Sequence, residues 1–446
     1  MRQSVSDEEK LRNNRGYQIG IIDSLPTDLL DSCMDFVPDD LVNMLKVSTL
    51  SSARAKMLPQ AWQKARWYGD APDWLNDHIL EDGKSVQRMN VRLKQLPADL
   101  AKYRNSYALD LTGIVNLKDV SLLSNVHMLD LTGCIGVTDL RPLANVHTLD
   151  LSECIQLVSD HLRPLVGVRC LCLSGCTGIT EVNFLADSKI EELDLTGCRE
   201  VRDVGQLGHL RTLILTGCSS ITNIEALGGV DTLSLGGLEH ITDIRALSGV
   251  RCLNLACCTG ITDFRPLANV RFLNLSYCTQ LRELPRMVGV EGLVLIGCSN
   301  LHSLKGLENV KHLDLTMCTG ITNVCPVAGA SELILTGCTR VSDISCLGKV
   351  QKLIIKDCPN IVDVSGLTNV ASLDLSNCKR IADVSSLGNT KELCLSQCEE
   401  IVDVSRLGKV EHLTLSYCER ITDVSALGNV KKLNLSWCSR LRDVHA

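Results

Sequence analysis

Aromatic residues are scarce in this chain: they make up 3% of 446 residues, and the formal net charge is −7 with a pI near 5.8. No basic run and no interleaved aromatic platform stands out, so the electrostatic and stacking footprint of a nucleic-acid binder is missing. There is no apolar run of 18 residues, which argues against a membrane-spanning helix. The chain opens on a charged, polar stretch, Met1-Arg-Gln-Ser-Val-Ser-Asp-Glu-Glu-Lys10, with no apolar signal region. Ten histidines and 23 cysteines are present, yet none stands in a nucleophile elbow, an H-E-x-x-H, a C-x-x-C pair or a phosphate-binding loop. The expectation is a chain that is not an enzyme and needs no cofactor, in a reducing cytoplasmic or nuclear compartment. Its partners should be proteins, with no nucleic acid and no membrane.

What the chain has instead is a period. A leucine opening a Leu-x-Leu pair (Leu-x-Ile at 353) recurs seventeen times, at 109, 129, 149, 171, 193 and then every 20 residues to 433. A fixed period in the twenties marks a solenoid, whose units must stack to bury their apolar faces. A β-branched or leucine residue such as Val126 or Val146 stands three before the first leucine in most units. The alternation across Leu-x-Leu predicts a short strand with one apolar face inward. Successive strands should pair in parallel as a curved sheet roughly 80 Å long at the usual strand spacing, with the variable residues on its concave side. The rest of each unit is too short for a helix with two turns, which predicts extended chain or 3₁₀ turns on the convex side.

Two further columns run through the units. Fifteen cysteines share one position, Cys134, Cys154, Cys176, Cys198, Cys218 and then Cys258 to Cys438 in steps of 20, three after the second leucine. An inward cysteine there reads as a small hydrophobe whose weak S–H donor points at a neighbouring loop carbonyl. Metal binding or redox chemistry is the rival reading. Cys170 and Cys172, near Asp150 and Asp194, are one conceivable metal site. Asp119, Asp139, Asp203, Asp243, Asp263, Asp343, Asp363, Asp383, Asp403, Asp423 and Asp443 form the second column. One carboxylate per rung suits Asx capping of backbone N–H groups better than calcium, whose glycine-rich consensus is absent. The sequons at Asn274 and Asn434 fall inside predicted strands.

Specificity should lie where rungs differ. Ahead of the first leucines run His127, His147, Arg169, Arg211, Arg251, Arg271 and Lys311, interrupted by Glu191, Asp231 and Glu291. Two positions after the second leucine, the early rungs carry glycine and later ones Tyr277, Met317, Tyr417 and Trp437. Arg, Tyr, Trp and Met are residues enriched at protein-binding hot spots. Arg251, Arg271, Phe272, Tyr277, Lys311, His312 and Met317 are therefore the expected partner-binding patch, with Tyr417 and Trp437 as a second. The competing reading is that the tyrosines only cover the rim.

Before the repeats, residues 1–19 are polar and read as disordered. Leu29, Leu30, Cys33 and Val37 share one helical face, and Pro38 with two aspartates marks a second helix start before Leu41, Met44 and Leu45. Residues 20–62 thus read as a small helical module. Residues 63–105 read as a helical connector that seals the first rung, and residues 106–446 as the solenoid.

The motif L-x-L-x-x-C-x-x-I-T-D resembles the leucine-rich repeat family in its cysteine-containing subtype, although its units are several residues shorter than is usual there. The resemblance implies a β-rich, α/β-type leucine-rich repeat horseshoe. Leu25, Pro26, Leu29, Leu30, Phe36, Val37, Asp40, Leu41, Val47 and Ser48 resemble the F-box pattern, without the Trp-Arg that usually follows Val-Ser. That resemblance implies binding of a Skp-type adaptor through Leu25, Pro26, Leu29, Leu30 and Leu41. Together the two imply a substrate-recognition adaptor of a cullin–RING ubiquitin ligase, with a protein substrate in the concave face. The alternative is an interaction scaffold or inhibitor with no ubiquitin role.

Overall fold

The computed structural model describes residues 90–441. The F-box-like module with Leu25, Pro26, Leu29, Leu30 and Leu41, the tail 1–19, residues 63–89 of the connector and Asp443 lie outside the described residues. The chain divides into two compact units, one ending at Leu238 and the other beginning at Glu239.

Among the described residues the first unit carries eight strands, from β1 (Asn90–Arg92) and β2 (Ala108–Asp110) through β5 (Cys170–Cys172) to β8 (Thr232–Ser234). Each pairs in parallel with the next, so that Leu109, Leu129, Leu149 and Leu171 stand in register. The second unit carries ten, from β9 (Cys252–Asn254) to β18 (Lys432–Asn434), with Leu253, Leu273, Leu293 and Leu313 likewise aligned. Each strand is three residues long and centred on the first leucine position. The ladder nevertheless extends to the second leucine, whose N–H bonds the next rung, as Leu131 N–H does to the Asp150 carbonyl at 2.8 Å. From Leu109 to Leu415 both leucine positions of a rung are buried in the core, and burial of each stabilises the stack by about 1.5–3 kcal/mol; on the last rung Leu433 is exposed.

Strand β1 falls before residue 106 and pairs with β2, so the sheet starts one rung earlier than the repeat count indicates. Its leucine positions are filled by the half-buried Val91 and Leu93, only 18 residues ahead of the Leu109 pair, and Leu96 stands where later rungs carry cysteine. With neither the spacing nor the composition of the template, that rung was hidden among residues assigned to the connector.

Away from the sheet the chain runs through 3₁₀ segments of three to five residues, such as Ser385–Leu387 and Glu225–Gly229. The exception among the described residues is a four-residue α-turn, Ser159–Leu162, in the first of the 22-residue steps. Asp119 accepts a hydrogen bond from the Ser121 N–H at 2.8 Å, and Asp139, Asp243, Asp263, Asp343 and Asp423 do the same two residues on. The acidic column is a column of turn caps, one to a rung.

The cysteine column is a hydrogen-bonded ladder. Cys134 Sγ donates to the Leu111 carbonyl at 3.1 Å, Cys318 to Leu295 at 3.0 Å and Cys418 to Leu395 at 3.1 Å. Each thiol is thus a second donor to the second-leucine carbonyl of the preceding rung, which also accepts the backbone N–H three residues on, as Leu295 does from Cys298 at 3.2 Å. Burial pushes the Cys134, Cys218 and Cys378 thiols up to about 12. Outside this column Cys325 and Cys346, on the turns of adjacent rungs, are joined as a disulfide with Cα atoms 5.5 Å apart.

Candidate functional site

The position two after the second leucine is left-handed throughout. Gly113, Gly133, Gly175, Gly197, Gly217 and Gly237 hold φ between 69° and 79° in the first unit, where Glu153 is the one exception. In the second unit only Gly297 and Gly337 are glycine, and Cys257, Tyr277, Met317, Asp357, Asn377, Gln397, Tyr417 and Trp437 hold φ between 57° and 63°. The early glycines are therefore conformational, chosen for a backbone that side chains resist.

The two second-unit glycines follow directly on the two large residues before them. A Cβ on Gly297 would stand 2.6 Å from ring carbons of Tyr277, and one on Gly337 would be 3.6 Å from Met317 Cγ. Tyr277 leans over the next rung, where Gly297 makes room for its ring, whereas a side chain at position 337 would meet Met317 only at ordinary contact distance. Tyr417 meets Trp437 instead, the rings stacked 5.7 Å apart and 9° from parallel. Met317, Tyr417 and Trp437 are exposed, at 41%, 43% and 72%.

Ahead of the strands, the basic run is a ladder of ion pairs. Arg169 pairs with Glu191 and Arg211 with Glu192. Arg271 Nε lies 2.9 Å from Glu291, with its guanidinium 5.1 Å from the centre of the Phe272 ring. Phe272 itself is buried at 3%. His312 Nδ1 lies 2.9 Å from Glu332, Lys311 is exposed, and Arg251 is half-buried and also engaged. All the expected partner-binding residues lie in the second unit. Tyr417 and Trp437 are in contact; the Arg271–Tyr277 and Lys311–Met317 rungs stand two steps apart, roughly 10 Å at strand spacing.

Two features of the first unit escaped sequence reasoning. Tyr107, His127 and His147 form a ring stack with centroids 4.9 and 4.4 Å apart, and burial together with His147 pushes His127 down. Between the leucines, Asp110, Asp130, Asp150, Cys172 and Asp194 stand in register on consecutive rungs. Asp150 is 2% exposed and accepts from the Ser152 N–H at 2.8 Å. Burial, then the charge of Asp130, pushes Asp150 up to about 8, and burial also raises Asp194. Cys172 donates to Asp194 at 3.4 Å. Burial raises Cys170 to about 12 and carries Cys172 well above its ordinary value. Among the described residues no group of three or more metal-ligating side chains is assembled. Asn274 is fully buried and its Oδ1 caps the Ser276 N–H, so its sequon presents no acceptor to a glycan.

No protein-family model and no curated protein matches the sequence. Solved structures similar to it are leucine-rich repeat proteins. An internalin from Listeria monocytogenes is 19% identical over 79% of this chain and 88% of its own, with a TM-score of 0.31. The functional domain of InlJ from Listeria monocytogenes, which includes a cysteine ladder, is 18% identical over 74% of each chain, at 0.42. An LRR protein of Leptospira interrogans is 16% identical over 78% and 93%, at 0.37. Among the described residues no helix is long and apolar enough to cross a membrane.

Proposed function

We propose that this chain is a non-catalytic scaffold that recognises a protein partner through its second unit. The left-handed column carries the reading. A side chain at positive φ costs about 1–2 kcal/mol, and glycine serves the same position on eight rungs. Backbone strain of this kind is kept where it serves a function, and here it presents Tyr277, Met317, Tyr417 and Trp437. Arg251, Arg271, Lys311 and His312 flank the first two of these, with Phe272 supporting Arg271 from below.

Tyr277→Gly, Met317→Gly, Tyr417→Gly and Trp437→Gly together should leave thermal stability equal or slightly raised, since about 1–2 kcal/mol of strain is released per site against about 0.5–1 of added backbone entropy. Affinity capture from a cell lysate should meanwhile lose the proteins that the unmutated chain retains. Undiminished capture would remove this surface from consideration.

The F-box-like pattern at Leu25, Pro26, Leu29, Leu30 and Leu41 favours a second, finer reading, in which the captured protein is a ubiquitination substrate and these residues hold a Skp-type adaptor. Leu29→Asp with Leu30→Asp should abolish co-purification of such an adaptor. If the unmutated chain ignores the adaptor, the scaffold stands without a ubiquitin role.

A further inference from the structure

The residue directly after the cysteine position turns outward on every rung, and on most rungs it is polar. Thr177, Arg199, Ser219 and Glu239 occupy it in turn, and later Thr259, Thr279, Ser299, Thr319 and Thr339. On the three rungs of β2, β3 (Met128–Asp130) and β4 (Thr148–Asp150) it is Val115, Ile135 and Ile155, exposed at 56%, 47% and 60%. One rung earlier the same line continues through Leu96, exposed at 36%, and Pro97. Nothing in the core calls for these residues, because threonine serves the position elsewhere. Exposed β-branched side chains aligned at strand spacing on neighbouring rungs form a contiguous apolar stripe, which soluble surfaces rarely keep uncovered.

The stripe is confined to the rungs where the chain enters the sheet. Residues 1–89 lie immediately before β1 and outside the described part. Trp62, Trp67 and Trp74, three of the chain's four tryptophans, are in that stretch. Trp74 precedes Asn90 by 16 residues, which span up to about 55 Å when extended, whereas β1 to β4 covers three strand spacings, roughly 14 Å. The large apolar side chains that could cover the stripe are therefore tethered within reach of it, at an effective concentration no separate partner matches.

We infer that the tryptophan-bearing segment 62–74 docks across the flank of the first rungs, on Val115, Ile135 and Ile155.

The test uses the full chain with Trp437→Phe, so that tryptophan emission arises from residues 62, 67 and 74 alone. Val115→Thr, Ile135→Thr and Ile155→Thr are then added; threonine at this position already fits five other rungs. The parent should show blue-shifted emission and weak acrylamide quenching. The triple variant should shift red and quench severalfold more readily, with an unchanged far-ultraviolet circular dichroism spectrum. Equal emission and quenching in the two proteins overturns the proposal, as does fully water-exposed emission in the parent. A stripe that joins two copies would show as a dimer lost on substitution while the tryptophan signal stays fixed, and that result also overturns it.

Discussion

Raising the pH from 5 to 8 is expected to destabilise the first unit by about 4 kcal/mol through Asp150, a loss that Asp150→Asn should reduce. In the folded chain Asp150 holds its proton up to about 8, because it is buried and faces Asp130 and Asp194 on the same column. Unfolded, it releases the proton near the ordinary carboxylate value of about 3.9. Between those values the folded form binds more protons than the unfolded, so the stabilising contribution is complete below about 4 and drains away as pH rises to about 8. The exposed turn caps act in the opposite direction. Arg141, Arg245 and Arg265 hold Asp139, Asp243 and Asp263 down to about 2, and their contribution is lost only as pH falls below 4. Maximum stability should thus lie near pH 4–5. Asparagine is the right replacement because Asn254 and Asn274 already fill this position on other rungs and cap the N–H two residues on. Urea midpoints measured across the pH range decide the matter. A flat wild-type profile, or a variant with the same slope, would dismiss the raised Asp150.

The second large effect concerns thiol chemistry. At pH 8 a thiol titrating near 12 is ionised to about 1 part in 10,000, against roughly a fifth for an ordinary cysteine. The column thiols are in addition sealed from solvent, most at 0% exposure. Native protein should therefore leave Ellman's reagent almost untouched, while the same sample in guanidinium chloride reacts at every free cysteine. Among the described residues the half-buried Cys257 and Cys394 should react first. Twenty fast-reacting thiols in the folded state would refute the ladder of S–H donors.

Much of this architecture is legible from spacing alone. Leucines at 20-residue intervals can share a core only as parallel rungs in register, and the small cysteines three residues on could face nowhere else. Residues that do not repeat the template were harder to place: Val91 and Leu93 make a full rung without a leucine pair. Some columns answer to two demands at once. The change from Gly217 to Tyr277 looks like a change of surface, yet both sit at a left-handed turn. Asp357 and Asn377 in the same column, residues that tolerate that conformation, were the visible clue. The acids Glu191 and Glu291 read as interruptions of a basic run, whereas the register makes them partners of Arg169 and Arg271. That the residue between two leucines is covered by its in-register neighbours is a property of stacking, which one unit's sequence does not carry.

Because each strand, each turn cap and each Sγ–H bond reaches no farther than the adjacent rung, either unit behaves mechanically as a chain of identical links. Pulled along its length, it should give a sawtooth of small force peaks. Every rupture away from the rungs tied by Cys325–Cys346 would free about 20 residues and lengthen the molecule by roughly 60 Å. On release the rungs should close again from any surviving pair, as a zip does.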